Sequence, residues 1–250
     1  MKQKLYERSR EYNTEDLEHY LRSDPHSQAS NLSDVILGGQ DGLVNVLGVI
    51  LGIAAATHDP HIVMVAGLAA TFAESVSMGA VAYTSTLADA DYYESERSRE
   101  YRHIQQVPHL ERAEIRKIYE NKGFEGELLD RIVNTITSNE DVWVAVMMVE
   151  EHQLQPANRR QALRSALVVG LSAIVGSLIP LVPFVFFAVD ASMVISVVVT
   201  ALVLFGVGAY KAQKTVGNPG KSGLEMALIG TISALVGYAV GLLLKVPTTP

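Results

Sequence analysis

The run VILGGQDGLVNVLGVILGIAAAT, Val35 to Thr57, holds a single charged residue, Asp41. A helix needs about 20 mainly apolar residues to cross the hydrocarbon core of a bilayer, and this run has that length. Four more runs follow. Ile62–Ala88 carries only Glu74, while Ser165–Val189, Ala191–Tyr210 and Met226–Leu244 carry no charge at all. One such run suits the core of a soluble domain, but five in a chain of 250 residues leave too little amphipathic surface to cover them. The sequence predicts an all-α membrane protein: five transmembrane helices with a helical insert between spans two and three.

Whole-chain averages hide this division. The chain is 48% hydrophobic and 19% charged with a net charge of −7, values that suit an ordinary acidic globular protein. The acidic balance argues against a nucleic-acid partner, because few cations are available to displace phosphate counterions. With no cysteine there is no disulfide framework, thiolate zinc site or cysteine nucleophile. The segment up to Asp34 is polar and lacks the apolar centre of a cleavable signal peptide. Four segments result: residues 1–34, a polar N-terminal stretch; 35–88, spans one and two; 89–158, the acidic helical insert; and 159–250, spans three to five.

Basic residues set the predicted topology. Five lie before Val35, eleven between Asp89 and Arg164, and three (Lys211, Lys214 and Lys221) between spans four and five. The short connections Thr57–His61 and Ala188–Ala191 hold none, and the tail holds only Lys245. The positive-inside rule then places the N-terminus and the insert in the cytoplasm and the C-terminus outside. Gly48 with Gly52, and Gly237 with Gly241, form small-xxx-small faces that allow close helix approach, one use of which is a dimer seam. Pro180 and Pro183 sit near the outer end of span three, where a kink or frayed turn costs least.

Residues 89–158 read as four helices: Asp91–Gln106, His109–Lys122 with Gly123 as its C-cap, Glu125–Asn139, and Glu140–Gln155 closing at Pro156. This insert holds fifteen acidic and eight basic residues, an excess equal to the net charge of the whole chain. Glu96, Glu100 and His103 share one helical stripe, Glu111 and Glu114 stand one turn apart, and so do Met147 and Glu151. Carboxylate, imidazole and thioether together suit a divalent first-row metal better than Mg²⁺ or Ca²⁺. The competing reading is a solvated face with pairs such as Glu96–Arg99. Glu100-Tyr-Arg-His103 is also a Glu-x-x-His, half of a carboxylate-bridged di-iron site. No second Glu-x-x-His occurs in the chain, which argues against an oxidase, and the protein is read as a non-enzyme.

Asp41 and Glu74 are costly where they stand. A charge at the centre of a span costs at least about 2.5–3.5 kcal/mol on insertion scales, so such groups face a partner or a wet pathway. Met78 follows Glu74 by one turn, and neither span contains a basic residue to neutralise the acids. Asp41, Glu74 and Met78 therefore form a candidate transport pathway. The alternative is two acids bonded to backbone or to hydroxyls such as those of Ser75 and Ser77.

Asp41-Gly-Leu43, Ala73-Glu-Ser-Val-Ser-Met-Gly79, Val107-Pro108, Trp143 with Met147-Met148, Leu202–Tyr210 and Ala227-Leu-Ile-Gly230 resemble motifs of the vacuolar iron transporter family. The resemblance runs from about Asp34 to Leu244. It implies a five-span homodimer that exports Fe²⁺ from the cytosol in exchange for protons, with a cytosolic helical domain that binds several metal ions. It assigns the pathway aspartate and methionine to Asp41 and Met78. The plant-type glutamate of the family falls on Ala70, with Glu74 one turn further along the same face. In the insert it assigns metal binding to Glu100, Glu111, Glu114, Glu151 and Met147, and His103 occupies a fifth glutamate position. Imidazole there suits Fe²⁺, Zn²⁺ and Co²⁺ and brings a pH dependence near neutrality.

The function expected is proton-coupled export of a divalent transition metal, Fe²⁺ first, in a plasma membrane of a prokaryote or a vacuolar membrane. No prosthetic group is implied; the ion is cargo. Export of Mn²⁺, Zn²⁺ or Co²⁺ on the same architecture is one competing expectation. A membrane-anchored metal sensor or buffer is another, although a plain anchor has no use for Asp41 and Glu74.

Overall fold

The structure is a computed structural model that describes residues 25–156, 159–215 and 217–244, with side chains from residue 32 onward. Of residues 1–30, expected to be a surface helix or a disordered segment with solvent-exposed His19 and His26, only the backbone from Pro25 onward lies within the described residues, where it is helical. The described residues form eight helices in order. They are α1 (Pro25–Thr57), α2 (Pro60–Gln106), α3 (Pro108–Asn121), α4 (Gly126–Thr137), α5 (Glu140–Glu150), α6 (Arg159–Phe186), α7 (Val189–Lys214) and α8 (Pro219–Leu243). There is no strand among the described residues. The apolar lengths Leu32–Thr57, Pro60–Gln106, Arg159–Phe186, Val189–Lys214 and Pro219–Leu243 are each long and apolar enough to cross a membrane. The predicted all-α class with five spans is the fold observed.

The described chain divides into two compact units, one formed by residues before 80 and after 166, the other by residues 80–166. In the first, α1 is the central element. Its Val46, Leu47, Ile50, Leu51 and Ala54 pack with Val63 of α2, Leu181 and Phe184 of α6, Val189 of α7 and Ala234 of α8. Outward positions such as Leu171, Val175, Val194, Leu202, Ile232 and Leu235 are apolar yet exposed, which is how a helix facing lipid differs from one facing water.

Backbone closeness replaces large side chains where α1 meets its neighbours. A Cβ placed on Gly237 would stand 2.2 Å from the Gly48 carbonyl oxygen, and one on Gly241 would stand 2.0 Å from that of Gly52. The two glycine pairs thus form one seam between α1 and α8 within the chain, so they are not free to form a dimer seam. The helix α6 continues through Pro180 and Pro183 to Phe186 rather than fraying at them. Hydroxyls of α7 tie the two helices together at these prolines: Ser196 Oγ donates to the Pro180 carbonyl at 2.7 Å and Ser192 Oγ to that of Pro183 at 3.0 Å.

The second unit contains the insert. Its core is Ile104 of α2, Ile115 of α3, Leu129, Val133 and Ile136 of α4, and Trp143, Val144, Met147 and Met148 of α5. Two expected boundaries are corrected here. Span two and the first insert helix are one helix of 47 residues, because no glycine or proline occurs between Gly79 and Pro108 to break it. At 1.5 Å per residue it is about 70 Å long, more than twice a hydrocarbon core. The last insert helix stops at Glu150 and not at Gln155, since Gln153 adopts a left-handed φ of 55° and the Leu154 N–H turns back to the Met148 carbonyl at 2.9 Å. Gly123 ends the second insert helix at φ 90°, a conformation that explains why a glycine stands there.

Candidate metal centres

Within the spans, α1 and α2 bring two carboxyl groups together. Asp41 of α1 lies near enough to Glu74 of α2 for their charges to interact. Asn45, one turn after Asp41, donates from Nδ2 to Glu74 Oε1 at 2.7 Å. Asp41 and Glu74 are both half-buried, as is Met78 one turn further along α2. The alternative partners proved different from those expected. Ser75 Oγ donates to the Phe72 carbonyl at 3.0 Å, and the amide of Asn45 takes the place of a hydroxyl on Glu74. Asn45 is the i+4 neighbour of Asp41, so the two share one face of α1, and only the missing charge keeps it from standing out in the sequence.

In the insert, Glu100 of α2 is the meeting point. It is 3% exposed, and its Oε2 has no hydrogen-bond partner. Glu100, His103 and Glu111 offer ligand atoms that all lie within 4.8 Å of one another, and so do Glu100, Glu151 and His152. The His103 Nδ1–Glu111 Oε1 distance is 3.4 Å and the His152 Nε2–Glu100 Oε1 distance is 3.0 Å. Ligands held about 2.1 Å from an ion stand about 3.0 Å apart at a right angle and about 3.4 Å apart at a tetrahedral angle, so both spacings fit an ion.

Helix geometry explains the convergence. The i, i+3 spacing puts Glu100 and His103 on one face of α2, and Pro108 starts α3 so that Glu111 returns to that face. The Met147 carbonyl accepts from Glu151 N at 3.0 Å and from His152 N at 3.2 Å, which holds both residues at the end of α5. Burial pushes the Glu111 carboxyl up to about 7, reinforced by Glu114 and then by Glu100 and Glu151. Burial also raises Glu151, with Glu114 the next cause and His152 opposing it. Four clustered acids, two of them with carboxyls raised by burial and by their neighbours, are a site that attracts a cation.

The remaining candidates sit differently. Glu114 is exposed and stands beside Glu111, adding charge to the cluster. Glu96 is buried but pairs with Arg99 at 2.9 Å and belongs to neither ligand group. Met147 is fully buried in the core of the unit, and its carbonyl is the acceptor that holds Glu151 and His152. His152 is the residue that sequence reading missed. In a helix extended to Gln155, Met147 and Glu151 share a face and His152 points about 100° away; termination at Glu150 turns its ring toward Glu100.

Five apolar spans with intramembrane acids, and a helical unit with converging carboxylate and imidazole groups, define a multi-pass membrane protein that handles cations. Residues 32–242 match the VIT family as a whole. The chain is 35% identical over 209 residues to vacuolar iron transporter 1 of Tulipa gesneriana, covering 83% of this chain and 84% of that one. It is 33% identical over 209 residues to vacuolar iron transporter 1 of Arabidopsis thaliana, covering 83% of each. With the vacuolar iron transporter of Plasmodium berghei (strain Anka) it shares 29% identity over 266 residues, covering 98% and 97%. The chain belongs to the VIT family, a family of transporters and not of enzymes.

Proposed function

We propose that this protein transports Fe²⁺ out of the cytosol in exchange for protons, as a homodimer with the insert on the cytoplasmic side. The observation that carries the reading is the carboxyl pair Asp41–Glu74, drawn from two spans and braced by Asn45. Two close carboxyl groups, with no basic residue in either span, lower the cost of their place in a membrane by taking up a proton. An arriving divalent cation displaces that proton and is neutralised by both carboxylates. As the ion leaves, protons from the far side restore the pair, so cation and proton move in opposite directions. Met78 supplies a soft ligand one turn nearer the cytoplasm, where a partly dehydrated Fe²⁺ is first met. The acidic insert raises the local ion concentration, and Glu96, Glu100, His103, Glu111, Glu114, Met147 and Glu151 are its candidate residues.

The test is Fe²⁺ uptake under anaerobic conditions into proteoliposomes with a pH-sensitive dye on the trans side. The expected result is uptake that needs an opposing proton gradient and is abolished in Asp41→Ala. Flux independent of the gradient, or full activity of Asp41→Ala, refutes the reading.

A further inference from the structure

Glu100 belongs to both ligand groups of the insert, and each group contains one imidazole. We propose that Glu100 bridges two metal positions, one completed by His103 and Glu111 and the other by Glu151 and His152, and that the two imidazoles select Zn²⁺, Co²⁺ and Ni²⁺ over Mn²⁺. The inference deepens the proposed function, on which it rests for the role of the domain, by naming the cation class the insert prefers and adding His152 to its ligands.

Three observations support it. The buried Oε2 of Glu100 lacks any partner while Oε1 lies 3.0 Å from His152 Nε2, so one oxygen stays open to a second ion. A buried carboxylate oxygen without a donor is costly, and a cation on that side removes the cost. The edges of the two groups, 3.4 Å for His103–Glu111 and 3.0 Å for His152–Glu100, match ligand spacings around a first-row ion. The donor sets are also mixed: each position has two carboxylates and one nitrogen. Carboxylate-only sites suit Mn²⁺ and the hard ions, whereas an added imidazole favours the later metals. An ordinary His152–Glu100 ion pair would explain the contact alone, but not the unpartnered oxygen or the second imidazole across from it.

The experiment uses the full chain, purified in detergent and metal-free, with Zn²⁺, Mn²⁺ and Co²⁺ as probes. Equilibrium binding gives stoichiometry and affinity, and the visible spectrum of bound Co²⁺ reports its nitrogen ligands. In His152→Gln the amide still donates to Glu100 while the imidazole is gone. This variant is expected to weaken one Zn²⁺ position by at least about tenfold, since even groups that only orient ligands matter that much, and to change the Co²⁺ spectrum. His103→Glu keeps a ligand and is expected to lower the Zn²⁺ to Mn²⁺ affinity ratio by about tenfold. Unchanged Zn²⁺ stoichiometry, affinity and Co²⁺ spectrum in His152→Gln overturns the proposal, and so does an unchanged ratio in His103→Glu. Binding is read apart from transport: failure here leaves Fe²⁺/H⁺ exchange in liposomes standing, and failure of exchange leaves the binding result standing.

Discussion

The side-chain amide of Asn45 donates to Glu74 Oε1 at 2.7 Å, tying the first span to the second at the carboxyl pair. A hydrogen bond to a charged group is worth about 1.5–3 kcal/mol, so it holds Glu74 in the orientation that faces Asp41. Asn45→Ala is expected to slow Fe²⁺ uptake in proteoliposomes roughly tenfold or more while the protein folds and inserts normally. Asn45→Gln, which reaches with the same amide, should recover part of the rate. Equal uptake by wild type and Asn45→Ala would show that the amide does not position the pair.

The raised Glu111 carboxyl predicts a pH dependence of stability. Its value in the fold is about 7 against 4.5 unperturbed, with burial the largest cause. The folded state therefore holds this proton more tightly than the unfolded state does. Its contribution to stability is complete below about pH 4.5 and is lost as pH rises through about 7. Metal-free protein in detergent is expected to show a thermal midpoint that falls across this window, and Glu111→Gln should flatten that part of the profile. At pH 7.5 the Gln variant should melt higher than wild type. A midpoint that is level from pH 5 to pH 7.5 in the wild type contradicts the assignment.

The same proton sets the expected behaviour on metal binding. An ion that binds Glu111 as carboxylate must displace it, so affinity should climb with pH to about 7 and then level off. Titration calorimetry of Zn²⁺ into the metal-free protein at pH 6.5, repeated in buffers of different ionisation enthalpy, should show proton release. That release is expected to shrink in Glu111→Gln and to be small at pH 8. Binding enthalpies that do not depend on the buffer at pH 6.5 would refute it.

The spans were legible in sequence because their signal is long, a run with at most one charge repeated five times, and a bilayer imposes it. The acids Asp41 and Glu74 stood out against that background. Partners were harder to see, since which residue of α1 meets Glu74 depends on how two helices rotate against each other, and hydropathy does not encode rotation. His152 was hidden for a different reason. Its position depends on a left-handed turn at Gln153, where no glycine or proline signals the end of α5. The fused helix Pro60–Gln106 was divided in the sequence reading because composition changes at Asp89, although nothing there breaks a helix. Composition marks the solvent a helix faces; only breakers mark where it stops.

The glycine seam gives the last prediction. A Cβ on Gly237 would lie 2.2 Å from the Gly48 carbonyl oxygen, which is backbone and cannot swing aside, so α1 and α8 must separate to admit it. Overpacking of this kind costs about 1–3 kcal/mol, and the close backbone contacts along the seam are lost with it. Gly237→Ala and Gly241→Ala are each expected to lower the thermal midpoint in detergent by several degrees, an estimate of about 2–4 °C per kcal/mol for a chain near this size. Gly206→Ala, with nothing within 4 Å of the added methyl, serves as the control and should match or exceed wild type, because alanine is also the better helix former. Since the seam lies within one chain, the mass of the solubilised particle by light scattering should not change in any variant that folds. A smaller particle for Gly237→Ala with an unchanged midpoint would place these glycines between subunits instead.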